Sequence, residues 1–426
     1  YIINIDTANN ANHINGRIRM SNLCVTGDTE LLTSDGYIPA KELFETGTDL
    51  SVLVDDRTTN AKTYGLTAYN AIPMHLTAKQ ANVYEVKTKA GFSIKSTEWH
   101  KYYVQRGGEI IKLPLAEINV HDKLLIQSGE GEYGINSNVE LAYIMGLITG
   151  DGTMTKNAHG NSIAKMYLYD EKSQYASDIE TKIESIIETY NGNRTYKHNA
   201  VYKPEFQNNG NKLTLSSTVL GRILDEDYNF NQETKLDVPK YVKRGTKEVQ
   251  TAYLSGLFKM DGCVNTNRNA KSMTIELVSI SEKLATGVQK LLINMGIYST
   301  IYNRDSRIAM LPDGNGGSAE YQCKETYRVT IQDREARELF MSIIDMKDKD
   351  IEKFNDFNTI LSLISRKPKH HYTSEITSID FYGVEDVYDT TQEDFHSLIF
   401  NGIVTGNCVE IMQVQEPSIV NNDQTY

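Results

Sequence analysis

The sequence predicts a mainly β domain that is interrupted by an α+β domain built from two similar halves. Short β-type runs between Gly and Asp turns fill residues 24–130 and return in residues 372–407. Residues 138–366 instead carry apolar side chains at three- and four-residue spacing, which indicates helices. A motif also occurs twice within that region. With 39% hydrophobic and 23% charged residues among 426, two or three soluble domains are expected.

The two β regions are predicted to belong to one domain. The runs of the first region are TELLTSDGYIPA, SVLVDD, ANVYEVKT, FSIKSTEWHKYYV and DKLLIQ, and those of the second are EITSIDFYG, EDVYDTT and FHSLIFNGIV. Two polar stretches, QSGEGEYGINSN (127–138) and SRKPKHHYTS (365–374), are the places where the chain would leave this domain and re-enter it.

The inserted region contains an internal repeat. AYIMGLITGDGTM (142–154) returns as AYLSGLFKMDGCV (252–264), and each copy is followed by a strand-like run and then by a helical segment, Ser173–Tyr190 or Ser281–Met295. A helix, strands and a second helix in two copies indicate a pseudo-twofold pair of α/β units.

The two copies of the repeat share two glycines and one acid, namely Gly146, Gly152 and Asp151 in the first and Gly256, Gly262 and Asp261 in the second. Since small residues let helices approach closely, the two repeated helices are predicted to pack together, each ending near its acid. Paired carboxylates suit Mg²⁺, which is usually held by one or two of them with waters and substrate phosphates. Metal-assisted attack on a phosphodiester is one prediction for this pair. The alternative is that each Asp caps a turn before glycine.

The charge distribution favours a DNA-binding surface in the inserted region. The net charge of −12 argues against a protein devoted wholly to nucleic acid. From Lys235 to Arg307, however, there are twelve Lys and Arg residues against six Asp and Glu. Basic residues in and around strands fit a surface along DNA, where phosphate neutralisation supplies much of the affinity. A solvated surface of mixed charge is the alternative.

Two cysteines each stand at a candidate seam: Cys24 follows SNL, and Cys408 follows Asn407. Removing residues 24–407 would join RIRMSNL to CVEIMQ as ordinary sequence. Cys24 can attack the carbonyl before it through a five-membered ring and form a thioester. Cys408 can capture that thioester, and Asn407 can release the insert by closing on its own carbonyl to a succinimide. The freed amine then takes the acyl group from sulfur.

STEWH supplies a hydroxyl and an imidazole, Thr97 and His100, three residues apart. A histidine that titrates near neutral pH can donate a proton to the nitrogen that leaves when Cys24 attacks. The same pair of residues also occurs in ordinary strands and loops, so this spacing alone decides nothing.

Taken together, these β segments resemble an intein. CVTGDTELLTSDGYIPAKEL is similar to the N-terminal splicing block, GFSIKSTEWHKYYV to the TxxH block, and VYDTTQEDFHSLIFNGIVTGN to the two C-terminal blocks. The resemblance implies a Hedgehog/intein-type horseshoe and autocatalytic splicing without a cofactor. The residues it implicates are Cys24 as first nucleophile, Thr97 and His100 at the upstream bond, Asp389 in the thiol steps, His396 and Asn407 in cyclisation, and Cys408 as receiving nucleophile.

The inserted region resembles the LAGLIDADG homing endonucleases, with LITGDG and LFKMDG as paired motifs and KLDVPKYV (235–242) as the block before the second. The resemblance implies one catalytic, Mg²⁺-binding acid per motif, Asp151 and Asp261, with Lys235 as an assistant. It also implies cleavage of double-stranded DNA at the intein insertion site. Where the consensus has Asp–Ala, this chain has Thr149–Gly150 and Lys259–Met260.

One departure from the intein pattern precedes Asn407. Such blocks usually end in His–Asn, whereas this chain has Gly406. Either His396 takes over the polarisation of the scissile carbonyl or the last step is slow. A measurable pool of branched or N-terminally cleaved product is therefore predicted.

The flanks, residues 1–23 and 408–426, join as MSNLCVEIM, which resembles the active-site segment of the class I ribonucleotide reductase large subunit. There a cysteine forms a thiyl radical between an Asn and a Glu, which here are Cys408, Asn22 and Glu410. The resemblance implies that the flanks are exteins acting in cis and that the host cysteine doubles as a splicing nucleophile.

A cytoplasmic monomer without membrane contact is expected. No run approaches the roughly 18 apolar residues of a membrane span, YIINIDTANN has no signal-peptide features, and the four cysteines form no CxxC pair. Two other functions stay open. One is a splicing intein whose endonuclease is inactive and only binds DNA. The other is a self-cleaving processing domain that does not ligate, as in Hedgehog-type relatives.

Overall fold

The computed structural model describes residues 17–21, 24–193, 204–267, 269, 272–312, 318–346, 372–407 and 409–413, together with 352, 353, 355, 356 and 359. Within these ranges the protein forms one 13-stranded sheet, two four-stranded sheets and two two-stranded pairs. None of the helices in the described ranges is long and apolar enough to cross a bilayer.

The first part of the chain, up to residue 130, is almost entirely β. Its strands are β1 (Arg17–Ser21), β2 (Val25–Thr26), β3 (Glu30–Thr33), β4 (Gly36–Pro39), β5 (Leu50–Asp55), β6 (Leu66–Ala71), β7 (His75–Thr88), β8 (Ser93–Ser96), β9 (Lys101–Arg106), β10 (Glu109–Pro114) and β11 (Lys123–Leu125). The connections include one helix, α1 (Ala40–Thr46), and two 3₁₀ turns, Asp56–Thr58 and Leu115–Glu117.

The middle part alternates helices and strands. The helices are α2 (Val139–Asp151), α3 (Ala176–Asn193), α4 (Thr218–Arg222), α5 (Lys240–Lys243), α6 (Lys247–Asp261), α7 (Glu282–Asn294) and α8 (Arg334–Ile343). The strands are β12 (Gly152–Lys156), β13 (Ser162–Tyr169), β14 (Gln207–Asn208), β15 (Lys212–Ser217), β16 (Gly262–Asn267), β17 (Ser272–Ser279), β18 (Thr300–Arg304), β19 (Arg307–Pro312), β20 (Ser318–Cys323) and β21 (Thr326–Ile331). Shorter turns are 3₁₀ at Asp170–Tyr175 and Thr234–Leu236 and π-helical at Ile223–Asp227.

The last part of the chain completes the large sheet. Its strands are β22 (Thr373–Asp389), β23 (Ser397–Phe400), β24 (Ile403–Gly406) and β25 (Val409–Gln413). The sheet runs β2-β8-β7-β22-β11-β9-β24-β23-β3-β5-β6, with β10 beside β9 and β4 beside β3. Because β22 lies between β7 and β11, and the β23–β24 hairpin lies between β9 and β3, the two β regions of the sequence form one sheet.

β22 is one 17-residue strand where the sequence pattern indicates two short ones. Its register against β7 shifts at four places, and Phe381, Tyr382 and Val384 in its middle are exposed. Such irregularities interrupt the alternation by which a strand is recognised. The sequence pattern therefore predicts two short strands where the structure has one long irregular strand.

The inserted part has two similar halves, in agreement with the repeat. Its sheets run β12-β13-β15-β14 and β16-β17-β21-β18. Alternate side chains of β13 and β17 are buried, and they share one hydrophobic core with the buried faces of α3 and α7. α7 begins after Ser281, whose hydroxyl accepts the Leu284 N–H (3.2 Å) and so caps the predicted helix at its expected start.

The repeated helices α2 and α6 pack against each other at two glycines. A Cβ on Gly146 would overlap the main-chain carbonyl of Tyr253, and a Cβ on Gly256 would overlap that of Tyr143. Only a hydrogen atom fits at either position, which is why the two backbones can approach so closely. The other two glycines of the repeat do not lie at this crossing, because Gly152 and Gly262 begin the strands that follow each helix.

The inserted part contacts the large sheet through α7 and the residues after it. Ile293 belongs to the hydrophobic core of the large sheet. The side-chain amide of Gln289 donates to the Ala90 carbonyl (2.8 Å). Gly91 lies so close to Ile301 that an added Cβ would come within 2.7 Å of its Cβ. The two parts therefore share a packed interface.

Part of the basic surplus of residues 235–307 lies at this interface. Five of its cations pair with acids of residues 30–130: Lys243 and Lys290 with Glu30, Lys240 and Arg244 with Glu42, and Lys247 with Glu130. These charges neutralise acids within the protein. The interpretation of the whole surplus as a DNA-binding surface is therefore wrong for these five residues.

Candidate functional site

The first candidate site surrounds Cys24, directly before β2. Val25 pairs with Ser96 of β8 on one side and with Tyr388 of β22 on the other. Continued by one residue, this register sets Cys24 between Thr97 and Asp389. The Thr97 N–H donates to the Cys24 carbonyl (3.0 Å), and Cys24, Thr97 and Asp389 are all buried. The sheet thus gathers three of the predicted residues from three distant segments.

The chain turns back tightly after Cys24 because of its VTGDT sequence. The Thr26 hydroxyl donates to the Asp28 carboxylate (2.5 Å), and a Cβ on Gly27 would meet the Lys41 side chain at 2.9 Å. Burial raises the pKa of Asp28, but bonds from Lys95 and Thr26 lower it, and its net pKa lies below the usual range. Asp28 is therefore charged at neutral pH and holds this turn against Lys95.

The turn Thr97–His100 links the strands on either side of the site. The His100 N–H donates to the Thr97 carbonyl (3.1 Å). The imidazole is fully buried, with the Tyr102 ring edge-on at 5.0 Å and the Phe400 ring at 6.1 Å. This apolar packing fixes the plane of the imidazole beside the chain that carries Asn407.

Asn407 lies on the other side of this turn. Gly406 of β24 pairs with Lys101 of β9, so the next step of the register sets Asn407 opposite His100. Asn407 is buried, and its amide Nδ2 donates to the Gln392 carbonyl (3.2 Å). No bond to its Oδ1 is found among the described residues. Cys24 and Asn407, the two ends of residues 24–407, therefore lie at the same Thr97–His100 turn.

His396 reaches Asn407 through its main chain. The Asn407 N–H donates to the His396 carbonyl (3.2 Å), and His396 has a left-handed φ of 51°. The imidazole itself is exposed. The proposed part of this imidazole in cyclisation stays a prediction, and the structure assigns the direct contact to the carbonyl.

The segments outside the two seams also meet. β1 pairs with β25, with Ser21 opposite Val409. These residues lie three positions before Cys24 and two positions after Asn407. Cys408, the predicted receiving nucleophile, and Asn22 lie outside the described residues.

The second candidate site lies where α2 and α6 end. Asp151 and Asp261 are the last residues of the two helices, and a Cβ on Gly150 would lie 3.4 Å from the Asp261 carboxyl carbon. The glycine crossing of the helices therefore brings the two predicted acids side by side. Both remain partly accessible to solvent, as a carboxylate that serves a substrate must be.

Lys235 approaches this pair from beneath. Its ammonium is buried and donates to the carbonyls of Ile148 (3.1 Å) and Gly152 (2.5 Å). Burial lowers the pKa of Lys235, and the charges of Asp261 and Asp151 oppose this only in part, so the pKa stays below its usual value. Lys235, the predicted assistant, therefore interacts electrostatically with both Asp151 and Asp261.

Sequence reasoning missed Lys172, which donates to Asp151 and to the Met260 carbonyl (3.0 Å). It lies in the 3₁₀ turn after β13 and reaches across to the end of α6. In the second half, Leu277 lies opposite Gly262 as Met166 lies opposite Gly152, so the residue equivalent to Lys172 is Lys283. The recurrence of Glu–Lys at 171–172 and 282–283 is the signal that could have singled out this lysine.

The departures from the LAGLIDADG consensus are compatible with the helix packing. A Cβ on Gly150 would come within 2.6 Å of the Met260 Cβ, so the larger Met260 is accommodated by glycine opposite. Lys259 is buried with its ammonium 4.6 Å from the centre of the Tyr175 ring, which stabilises the cation. These replacements fill the helix interface and leave both acids in place.

Asp151 and Asp261 are carboxylates of the kind that hold Mg²⁺, although Lys172 also bonds the Asp151 carboxylate. Among the described residues there is no cluster of three or more metal-ligating side chains, so a metal here would take at most these two as side-chain ligands. Mg²⁺ is commonly held in this way, with waters and substrate phosphates completing its octahedron.

The open face of the first small sheet is basic and aromatic. Lys165, Tyr167 and Tyr169 alternate along one side of β13, and the Lys212 ammonium lies 4.9 Å from the Tyr167 ring centre and 5.6 Å from that of Tyr169. The equivalent face of the second half is mixed in charge, with Arg328 3.7 Å from Glu276.

Comparison with known proteins shows what the chain is similar to. Residues 248–345 match the LAGLIDADG-like domain family. The chain is 49% identical, over 98% of its length, to the ribonucleoside-diphosphate reductase NrdEB subunit alpha of Bacillus subtilis (strain 168), of which it covers 39%. The same identity and coverage apply to the nrdEB subunit alpha of Bacillus phage SPbeta. The chain thus spans about two fifths of the length of these curated relatives.

Two kinds of solved structure are also similar. Variants of the homing endonuclease I-DmoI align with 49% of this chain and 92% of their own, at 16% identity and a TM-score of 0.29. A variant of the Ssp DnaB mini-intein aligns with 90% of this chain and 98% of its own, at 10% identity and a TM-score of 0.29.

The similarity to the reductase extends over nearly the whole chain, and the intein-type motifs stand at both seams around a LAGLIDADG-like domain. The chain is therefore similar to ribonucleotide reductase alpha subunits over nearly its whole length, and it carries a LAGLIDADG-like domain between segments that resemble intein motifs.

Proposed function

We propose that residues 24–407 excise themselves and join the flanking reductase segments, and that the inserted domain cleaves double-stranded DNA at the intein insertion site. The chain would act as a cytoplasmic monomer, where a reducing environment keeps the cysteine nucleophiles available. The observation that supports splicing best is the strand register that sets Cys24 and Asn407 on either side of the Thr97–His100 turn. A horseshoe of the Hedgehog/intein type is the shape proposed for the large sheet.

The upstream steps would begin at Cys24. Its sulfur attacks the carbonyl carbon of residue 23, the C–N bond breaks, and the proton is delivered to the Cys24 nitrogen. His100 is the proposed proton donor, and the Thr97 N–H holds Cys24 in place by donating to its carbonyl oxygen. Buried Asp389, next in register to Cys24, would move protons at the thiol. Cys408 would then attack the thioester and free the Cys24 sulfur.

The downstream steps would begin at Asn407. Its Nδ2 attacks its own carbonyl carbon, the bond to Cys408 breaks, and a succinimide and a free Cys408 amine result. That amine then attacks the neighbouring thioester, which gives a peptide bond and a free thiol. The Gln392 carbonyl holds Nδ2 and the His396 carbonyl holds the Asn407 N–H, so the residue is already oriented.

The test of splicing is mass spectrometry of the chain expressed between two stable carrier domains. We expect a product in which residues 1–23 are joined to 408–426, together with the free 24–407 segment. Cys24→Ala should stop ligation and leave only cleavage after Asn407, and Asn407→Ala should leave branched or N-terminally cleaved chains. Cleavage of the wild type at both seams without any ligated product would instead support a processing domain that does not ligate.

DNA cleavage is supported by the paired acids and by the basic, aromatic face of the first small sheet. Asp151 and Asp261 would hold Mg²⁺, which supplies a Lewis acid and an activated water when bound. Lys235 adds positive charge where the phosphodiester gains negative charge, and Lys165 and Lys212 would neutralise phosphates along the strands.

The nuclease test uses a plasmid that carries the uninterrupted reductase gene. We expect linear product with Mg²⁺ and none with Asp151→Asn or Asp261→Asn, while both variants still shift the DNA in a gel. The same plasmid with the intein sequence present is the matched control. Binding by the wild type without cleavage, at any Mg²⁺ concentration, would support the alternative of an inactive DNA-binding domain.

A further inference from the structure

We propose that Lys112 is a positioning residue for the cyclisation of Asn407, and that it takes up the space that Gly406 leaves open. This proposal rests on the proposed splicing function. Lys112 lies in β10, 294 positions before Gly406, and no feature of the sequence singles it out.

The Lys112 side chain lies against the peptide that precedes Asn407. A Cβ on Gly406 would meet its Cε at 2.9 Å, its Cδ at 3.0 Å and its Nζ at 3.2 Å. The ammonium therefore occupies the place where a side chain at position 406 would begin. Glycine at this position is what allows the lysine to approach.

The ammonium also holds the main-chain group that binds Asn407. Lys112 Nζ donates to the His396 carbonyl (2.8 Å), and the same carbonyl accepts the Asn407 N–H (3.2 Å). A carbonyl oxygen has two lone pairs, so both bonds can form together. His396 has a left-handed φ of 51°, which is unfavourable for a residue with a side chain, and the charge-assisted bond from Lys112 helps to hold it there.

The lysine is itself held in this orientation. Its Nζ lies 5.0 Å from the centre of the Tyr103 ring, and Tyr103 lies in β9, the strand beside Asn407. Cation and ring attract one another, which favours the side-chain conformation that reaches Gly406.

This arrangement suits the chemistry of cyclisation. When Nδ2 attacks, negative charge develops on the carbonyl oxygen of Asn407. The attack also requires that the side chain and main chain of Asn407 keep their relative orientation. A fixed positive charge one residue away lowers the energy of that charged state. The bond to the His396 carbonyl meanwhile fixes the acceptor that orients Asn407.

The experiment separates the two ends of the reaction. In a Cys24→Ala background only cleavage after Asn407 can occur, and its rate reports cyclisation. In an Asn407→Ala background, cleavage at Cys24 by added thiol reports the upstream step. Lys112→Met, which keeps the length but removes the charge, is measured in both.

We expect Lys112→Met to slow cyclisation by about tenfold to a hundredfold, somewhat less than the loss of a direct oxyanion donor. The upstream step should change by no more than about twofold. Lys112→Arg should restore most of the cyclisation rate, because it keeps a cation of similar reach. Lys123→Met, at an exposed lysine of β11, which like β10 pairs with β9, is the matched control and should leave both rates unchanged.

A second variant tests the link to Gly406. Gly406→Ala should displace the Lys112 ammonium and also slow cyclisation. In the double variant Lys112→Met/Gly406→Ala, the cyclisation rate should fall by much less than the product of the two single-variant factors. A wild-type cyclisation rate in Lys112→Met, or an equal loss of both steps, would overturn the proposal. A wild-type chain that never cleaves at either seam would instead refute the proposed splicing function.

Discussion

At the scale of single residues, the Thr97–His100 turn is the point where the two ends of residues 24–407 meet. Its first residue bonds the Cys24 carbonyl, and its last lies opposite Asn407 in the register. The buried imidazole packs between Tyr102 and Phe400 and so keeps one orientation. The imidazole is thereby held in a fixed position beside both ends of residues 24–407, and its role as the proton donor at the upstream bond is a proposal.

His100→Ala should slow formation of the upstream thioester by about 10²- to 10⁴-fold, the usual contribution of a positioned acid–base group. The measurement is the rate of thiol-induced cleavage before Cys24. Cyclisation of Asn407 should fall much less. His159→Ala, at an exposed histidine of the inserted part, is the control, and an equal effect from it would exclude a local role for His100.

At the scale of secondary-structure elements, the crossing of α2 and α6 sets the distance between Asp151 and Asp261. Gly146 and Gly256 let each helix touch the main chain of the other. Because the acids are the last residues of the two helices, any separation of the helices also separates the carboxylates.

Gly146→Ala should destabilise the protein by about 1–3 kcal/mol, since its Cβ would meet a main-chain carbonyl that cannot move aside. DNA cleavage should fall as well, whereas splicing should persist at temperatures where the variant stays folded. Thermal unfolding and plasmid cleavage are the measurements. Thr181→Ala, at an exposed position of α3, should change the free energy of unfolding by no more than about 0.5 kcal/mol.

These elements also show what the sequence could and could not predict. The repeat placed Asp151 and Asp261 at helix ends because the spacing from the crossing glycines is encoded locally. The contacts of Lys112 with Gly406 and of Gln392 with Asn407 depend on which strands become neighbours, which no local pattern records. The five basic residues at the domain interface were not recognised for the same reason, since only the fold reveals that Lys290, for example, pairs with Glu30.

At the scale of the whole molecule, Glu30 connects the inserted part to the 13-stranded sheet. It pairs with Lys290 of α7 and with Lys243, and its main chain exchanges bonds with Asn401 in the turn between β23 and β24. That hairpin leads directly to Asn407. A charge at the domain interface is therefore connected to the strand that carries the downstream seam.

Glu30→Gln should lower the free energy of unfolding by about 1.5–3 kcal/mol at neutral pH, the range for a hydrogen bond to a charged group. Burial raises the pKa of Glu30, but the charges of Lys290, Lys243 and Arg244 together lower it by more, so its net pKa lies below the ordinary 4.5. A carboxyl whose pKa is lower in the folded than in the unfolded state stabilises the fold at every pH above its unfolded pKa. This stabilisation is lost as the pH falls through the folded pKa.

The difference between wild type and Glu30→Gln in urea unfolding should accordingly be constant above about pH 5.5 and shrink at acid pH, because the unfolded carboxyl titrates near 4.5. Glu45→Gln, at an exposed position of α1, is the control and should show little difference at any pH. A difference that grows on acidification would contradict the assignment of this ion pair.

The order of strands in the large sheet has a consequence for the timing of the reaction during synthesis. β22, β23 and β24 occupy positions between strands made much earlier, and about 250 residues separate β11 from β22. At ribosomal speeds this interval lasts roughly 12–50 s. Through that time Cys24 lacks the strand that carries Asp389, so a nascent chain would keep its upstream bond intact until the partner needed for ligation has been translated.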